Sequence, residues 1–277
     1  MKMPAFRRLV FLLPICLLTA CASIPRVDRS LSSPDQSSRV KYLVLHYTVT
    51  DTPRSIHIFT GHSQGQASIH YLLTDAEQPV IHGIVDESRA AYHAGSDSGW
   101  KNDRQLNLTS IGIEIVNAGW VDGPNGRTWA PFPEKQIDTL IPLVKDIMAR
   151  HHIAPEHVLG HSDIAPQRKQ DPGALFPWKR LAAEGLVPWP DEAVVASRRI
   201  QYEAELPDLA WFQRKLAQLG YVAPQDAELN QATRNVLIAF QTRYRPSKID
   251  GQPDAETAAL LDSPMLVRVP NTGTQRP

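Results

Sequence analysis

The sequence predicts an α/β protein: a mixed central β-sheet flanked by helices, followed by a small all-α domain of three helices. Three observations carry that prediction. Apolar, β-branched runs interleave with helical periodicities between about residues 40 and 180. One helix in that interval, over 134–152, has a long apolar stripe. After Trp178 the strand signals stop, and three short amphipathic segments follow.

Each element has its own local reason. "RVKYLVLHYT" (39–48) is a nearly unbroken apolar and aromatic run, as expected of a strand covered on both faces, with His46 near its C-terminal end. Thr52 and Pro53 signal a helix start, and that short helix should end at Gly61. "SIHYLLTDAEQPVIHGIV" (68–85) reads as two strands joined by a polar turn at 75–78. In "TSIGIEIVN" (109–117), Ile111, Ile113 and Ile115 take one face of a strand, and Gly112, Glu114 and Val116 the other. Ile137, Leu140, Ile141, Val144 and Met148 recur at helical spacing after Pro133, and Pro142 among them predicts a kink. "AAEGLVPWPDEAVVASRR" (182–199) reads as a partly helical connector. The segments Leu209–Leu219, Gln231–Tyr244 and Asp254–Leu261 then form the helical domain, with Gly220 closing the first and Gly251 in the turn before the third.

The domain plan is therefore a leader over 1–20, a tether over 21–38, an α/β domain over 39–180 and a linker over 181–204. Three helices over 205–262 and a polar tail over 263–277, prone to fraying, complete it. A chain of 277 residues with 42% hydrophobic content supports real cores. Lys plus Arg and Asp plus Glu balance at 29 each, so there is no basic footprint and no nucleic-acid partner is expected.

Lys2, Arg7 and Arg8 precede an apolar run over 9–18, then Thr19-Ala20-Cys21: a positive region, a short hydrophobic core and a small residue before a cut. The run is too short to span a bilayer, which takes roughly 20 apolar residues. "LTAC" (18–21) resembles a bacterial lipobox, which implies that Cys21 becomes the acylated N-terminus while Cys16 leaves with the leader. One remaining thiol permits no internal disulfide. More than one acyl chain is needed for stable anchoring, and the lipoprotein modification supplies them. Ala at position 22, rather than Asp, points to the outer membrane, with the protein facing the periplasm.

"GHSDIAPQRKQDPG" (160–173) carries the chemistry. Pro166 and Pro172 keep 161–171 out of a continuous helix. In an extended "KQD", Lys169 and Asp171 leave the backbone on the same side. His161 could curl back to them, and His46 could supply a second imidazole. Two imidazoles and a carboxylate with an open fourth position suit a catalytic zinc site. Spacing alone leaves the alternative open, in which Asp171 caps a turn and pairs with Lys169 at the surface.

"VLHYT", "IGIEIVN" and "LGHSDIAPQRKQDPG" resemble the matching motifs of the zinc-dependent N-acetylmuramoyl-L-alanine amidases of the type 2 amidase and peptidoglycan-recognition-protein superfamily, over about residues 40–180. The resemblance implies His46, His161 and Asp171 as ligands of one zinc ion per chain, Glu114 as general base and Lys169 as the cation that stabilises the oxyanion. His93, in "AYHAG", resembles an element beside the cleft and is implied as a substrate contact, not a ligand. "FQRKLAQLGY", "FQTRY" and "IDGQPDAETAALL" resemble the peptidoglycan-binding domain of cell-wall hydrolases, and the order of parts is similar to that of outer-membrane amidase lipoproteins of enterobacteria. The implied function is hydrolysis of the bond between N-acetylmuramic acid and L-alanine, with peptidoglycan, muropeptides and membrane lipid as partners. Two rivals remain: a zinc peptidase acting within the stem peptide, and a non-catalytic wall-binding lipoprotein. His57, His62, His70, His82, His151 and His152 read as structural, the last two at a helix end where cations are favoured.

Overall fold

A computed structural model describes residues 27–62, 67–124 and 126–267. The leader, the lipobox and Cys21 lie outside the described residues. The chain forms two units, Met1–Ser37 and Ser38–Pro277. The described part of the first holds local bonds, such as Ser30 N–H to Asp28 Oδ1 at 2.9 Å.

The second unit is built on a five-stranded sheet. Its strands are β1 (Tyr42–Tyr47), β2 (Tyr71–Leu73), β3 (Ile81–Gly83), β4 (Ser110–Ile115) and β5 (Val158–Gly160). They lie in the order β3-β2-β4-β1-β5, all pairs parallel except β2 with β3. β1 and β4 are buried along their whole length, which explains their near-continuous apolar text. Their register sets His46 opposite Glu114. Because paired residues of parallel strands share a face, both side chains leave the sheet on the same side.

That sheet has two covered faces. Leu43, Leu45, Ile111, Ile113 and Ile115 pack against α2 (Glu134–His151) through Ile137, Leu140, Val144 and Ile147. The kink expected at Pro142 does not interrupt this helix. Pro142 is exposed, as is Asp138, so water can meet the carbonyl that the proline leaves without a partner. After β1, α1 (Thr52–His57) is capped by the Asp51 carboxylate and followed by an irregular turn through Gly61 at φ 82°.

The helical segment packs on the sheet side as well as on itself. After α3 (His161–Ile164) and α4 (Trp178–Ala183), the presumed connector holds α5 (Glu192–Ala204), whose Tyr202 hydroxyl donates to Asp262 Oδ2 at 2.9 Å. α6 (Leu209–Leu219), α7 (Gln231–Tyr244) and α8 (Ala255–Asp262) start at Asp208, Asn230 and Asp254, each accepting the backbone N–H of the residue three positions on. The three expected helices are thus all present, and α5, in the partly helical connector, packs with them. Beyond them Met265–Leu266 pairs with Trp189–Pro190, so the expected fraying does not begin at Asp262.

A small helical domain should have a marginal core of its own. Here Phe212, Leu216, Val236 and Phe240 belong to the same buried cluster as Val44, Leu159 and Ile164 of the sheet side. Gly220, at φ 135°, sits so close to Trp100 that a Cβ would fall 2.3 Å from the indole Cε2. Lys101 N–H donates to Gly220 O at 2.7 Å across the same seam.

Candidate active site

The parallel strands deliver three side chains to one edge. His46 is at the carboxyl end of β1, and His161 follows β5 directly as the first residue of α3. Asp171 returns to them by way of the turns after α3, and Ser162 N–H donates to Asp171 O at 2.9 Å. The carboxyl edge of parallel strands is where open α/β sheets place their ligands.

The donor atoms converge. His46 Nδ1 lies 2.9 Å from His161 Nδ1, and Asp171 Oδ2 is 3.0 Å from each of them. All three residues are buried. The surface pairing of Asp171 with Lys169, left open by spacing, is not what the fold adopts.

The outer bonds determine which nitrogens face inward. Ser110 Oγ donates to Leu106 O at 2.6 Å, so it accepts from His93 Nε2–H at 3.2 Å. His93 Nδ1 must then accept from His46 Nε2–H at 3.0 Å. His161 Nε2–H donates to Ala94 O at 3.3 Å. Each Nδ1 is thereby left as a lone pair aimed at the shared centre, an assignment that follows from the network rather than from visible hydrogens. Three acceptors about one point call for a cation. Their separations of 2.9–3.0 Å are close to the roughly 3.3 Å expected between ligands of a tetrahedral ion with bonds of about 2.0–2.1 Å. The group could hold a metal ion, and its residues fit zinc.

Electrostatics agree. Burial, assisted by the neighbouring His161 ring, lowers the His46 pKa to about 4, so the imidazole is neutral and able to ligate. Burial opposes ionisation of Asp171, but the His161 and His46 rings beside it lower its pKa below the ordinary carboxylate range.

A cavity of about 250 Å³ opens onto this group, lined among others by Tyr47, Phe59, His93, Glu114, Lys169 and Asp171. Glu114 is buried, and its Oε2 has no hydrogen-bond partner among the described residues. Burial, then the Asp171 charge, raises its pKa well above the usual carboxylate range, with Lys169 pulling the other way. An unpartnered carboxylate oxygen facing this cavity is placed to exchange a proton with a bound water or substrate.

His93 behaves differently from the sequence expectation in one respect. It lines the cavity, as a substrate contact would, but it also orients His46 from behind. Sequence reasoning missed this second position, together with Ser110 and the Ala94 carbonyl. One signal was present: a Cβ on Gly112 would lie 2.7 Å from His93 Cγ, so the glycine of "IGIE" is what leaves room for the ring. Two of the histidines read as structural make contacts away from this group. His70 Nδ1 accepts from Gly112 N–H at 3.0 Å, and His151 Nε2 lies 2.8 Å from Glu87 Oε2.

Residues 36–174 match the family described as N-acetylmuramoyl-L-alanine amidase, the type 2 amidases. The chain belongs to that family. It is an N-acetylmuramoyl-L-alanine amidase. N-acetylmuramoyl-L-alanine amidase AmiD of Escherichia coli K12 is 42% identical over 231 residues, covering 81% of this chain and 82% of that protein. The structure of E. coli AmiD in complex with anhydro-N-acetylmuramic acid-L-Ala-D-γ-Glu-L-Lys is 41% identical with a TM-score of 0.75, over 86% of this chain and 93% of that one. AmpDh3 of Pseudomonas aeruginosa, in complex with anhydromuramic pentapeptide, is 35% identical with a TM-score of 0.77, over 87% and 97%. Residues 205–261 of the amidase match the putative peptidoglycan-binding domain family.

Proposed function

We propose that this amidase is a zinc hydrolase in which His46, His161 and Asp171 hold one ion, Glu114 is the general base and Lys169 stabilises the oxyanion. Its substrate is peptidoglycan or its muropeptide fragments, cut between the lactyl group of N-acetylmuramic acid and L-alanine. The convergence of three buried donor atoms beside an unpartnered carboxylate carries this reading. The anhydromuropeptides bound to the E. coli and P. aeruginosa relatives support the substrate class.

A bound zinc supplies Lewis acidity, polarising the amide carbonyl and making water acidic enough to deprotonate near neutral pH. Glu114 accepts the proton of the attacking water and returns it to the departing amine of L-alanine. Lys169, on the cavity wall, meets the negative charge that develops on the carbonyl oxygen. His93 and Ala94 O keep the two imidazoles turned to their task.

Digestion of intact sacculi tests the bond cut. Mass spectrometry should find peptides with a free N-terminal L-alanine and lactyl carboxylates left on the sugar, and a chelator should abolish both. Cuts confined to bonds within the stem would instead make it a peptidase.

The membrane address is a second part of the proposal. Leu18–Cys21 reads as a lipobox, so acylated Cys21 would hold the enzyme in the outer membrane, facing the periplasm, with 22–38 as tether. Metabolic labelling with palmitate should mark the protein, and Cys21→Ser should remove the label and release activity to the soluble fraction. Label retained in that variant would reject the anchor.

A further inference from the structure

The turn that carries His161 is gripped from the helical segment. Asp163, 1% exposed, is two residues past that histidine, and its carboxylate accepts three bonds. Oδ2 takes the Gly160 N–H at 2.8 Å and Arg243 Nη1 at 2.5 Å, while Oδ1 takes the Tyr221 hydroxyl at 2.6 Å. Arg243, on α7, also donates through Nη2 to Val158 O at 3.3 Å and lies 4.0 Å from the centroid of the Trp178 ring. One guanidinium therefore touches the last strand before His161, the helix that His161 begins, and the helix beyond Asp171.

These contacts bracket the ligand itself. Gly160 and Asp163, on either side of His161, are tied to each other, and Ser162 N–H ties the same turn to Asp171 O at 2.9 Å. A Cβ on Gly160 would lie 2.8 Å from Pro172 Cδ and 3.2 Å from Trp178 Cζ2, so the turn has no slack toward those rings. Replacing a buried ion pair by apolar side chains of similar volume is often neutral or better for stability. What the pair contributes in addition is direction.

We propose that Asp163, held by Tyr221 and Arg243, is a positioning residue for His161, so that the C-terminal helices complete the metal centre as well as bearing a peptidoglycan-binding-like sequence. This rests on the assignment of His161 and Asp171 as ligands. The helical segment then cannot loosen from the sheet without changing how tightly the ion is held.

The test uses the full chain with Tyr221→Phe, Arg243→Met and Arg243→Lys, each at a temperature well below its melting point. Zinc affinity is read by competition with a chromogenic chelator, ligand geometry by the visible spectrum of the cobalt-loaded protein, and kcat and KM on a muropeptide. Arg243→Met should weaken zinc binding about tenfold, as loss of an outer-shell partner does. Tyr221→Phe should weaken it less, and Arg243→Lys should restore part of it. The cobalt spectrum should shift, and kcat should fall while KM holds. Zinc affinity within about twofold of the parent, with an unchanged cobalt spectrum, would overturn the proposal, since outer-shell partners are worth more than that. Should Arg243→Met fail to fold, Tyr221→Phe decides alone, because it removes one bond and leaves the packing. A parent protein that binds no zinc would overturn the ligand assignment and this proposal with it, and is told apart by the parent's own titration.

Discussion

Glu114→Gln should lower kcat by about two to four orders of magnitude, the usual span for a general acid–base group, while zinc content stays at that of the parent. Glutamine fills the same volume but accepts no proton, and Glu114 is not among the three converging donors. The variant should also reveal what the carboxylate costs. Burial and then the Asp171 charge raise the Glu114 pKa well above normal, so over that interval the folded, metal-free protein keeps a proton that the unfolded chain releases. Stability then falls as pH rises past the ordinary glutamate range. Metal-free Glu114→Gln should accordingly melt above the parent at about pH 7 and with it at about pH 3, where the parent's Glu114 holds its proton in the folded and the unfolded chain alike. Metal analysis, single-substrate kinetics and two melting curves check all of this. Near-parental turnover would take Glu114 out of the mechanism.

His161→Ala should be the more complete loss. Removing one of three ligands weakens zinc by at least about a hundredfold, beyond what outer-shell changes cause. Activity should fall to that of chelator-treated parent, and added zinc should no longer raise the melting temperature, because the ion stabilises only a state that binds it. The Ala94 carbonyl would lose its imidazole donor but keep Arg168 Nη2 at 2.5 Å, so the fold itself should persist. A variant that still took up one zinc per chain would mean that His161 is not a ligand.

Much of this centre was legible in the sequence, for physical reasons. Glu114 stands on a run whose alternation determines its face, and β4 has the predicted faces; the unbroken apolar run around His46 marked a strand covered on both sides, and the register puts both residues on one face. Two prolines and paired polar residues over 161–171 marked a loop built for chemistry. The orienting network was not legible, because Ser110 is small, the Ala94 acceptor is backbone, and His93 is 47 positions from its partner. Arg243 was hidden for another reason. In "FQTRY" it reads as a solvated helix cation, and only packing of α7 against the sheet side buries it. The connector over 181–204 reads as partly helical, but local patterning cannot say that its Tyr202 would find Asp262.

His46 and Asp171 are 125 positions apart, and His161 is 115 from His46. An extended chain, on the ribosome or in transit, therefore presents an ion with isolated side chains and no binding pocket. If the three hold an ion, loading would wait until β1 and β5 have paired, and its uptake would report completed folding. Whichever compartment makes the polypeptide, the one in which it folds would then supply the metal.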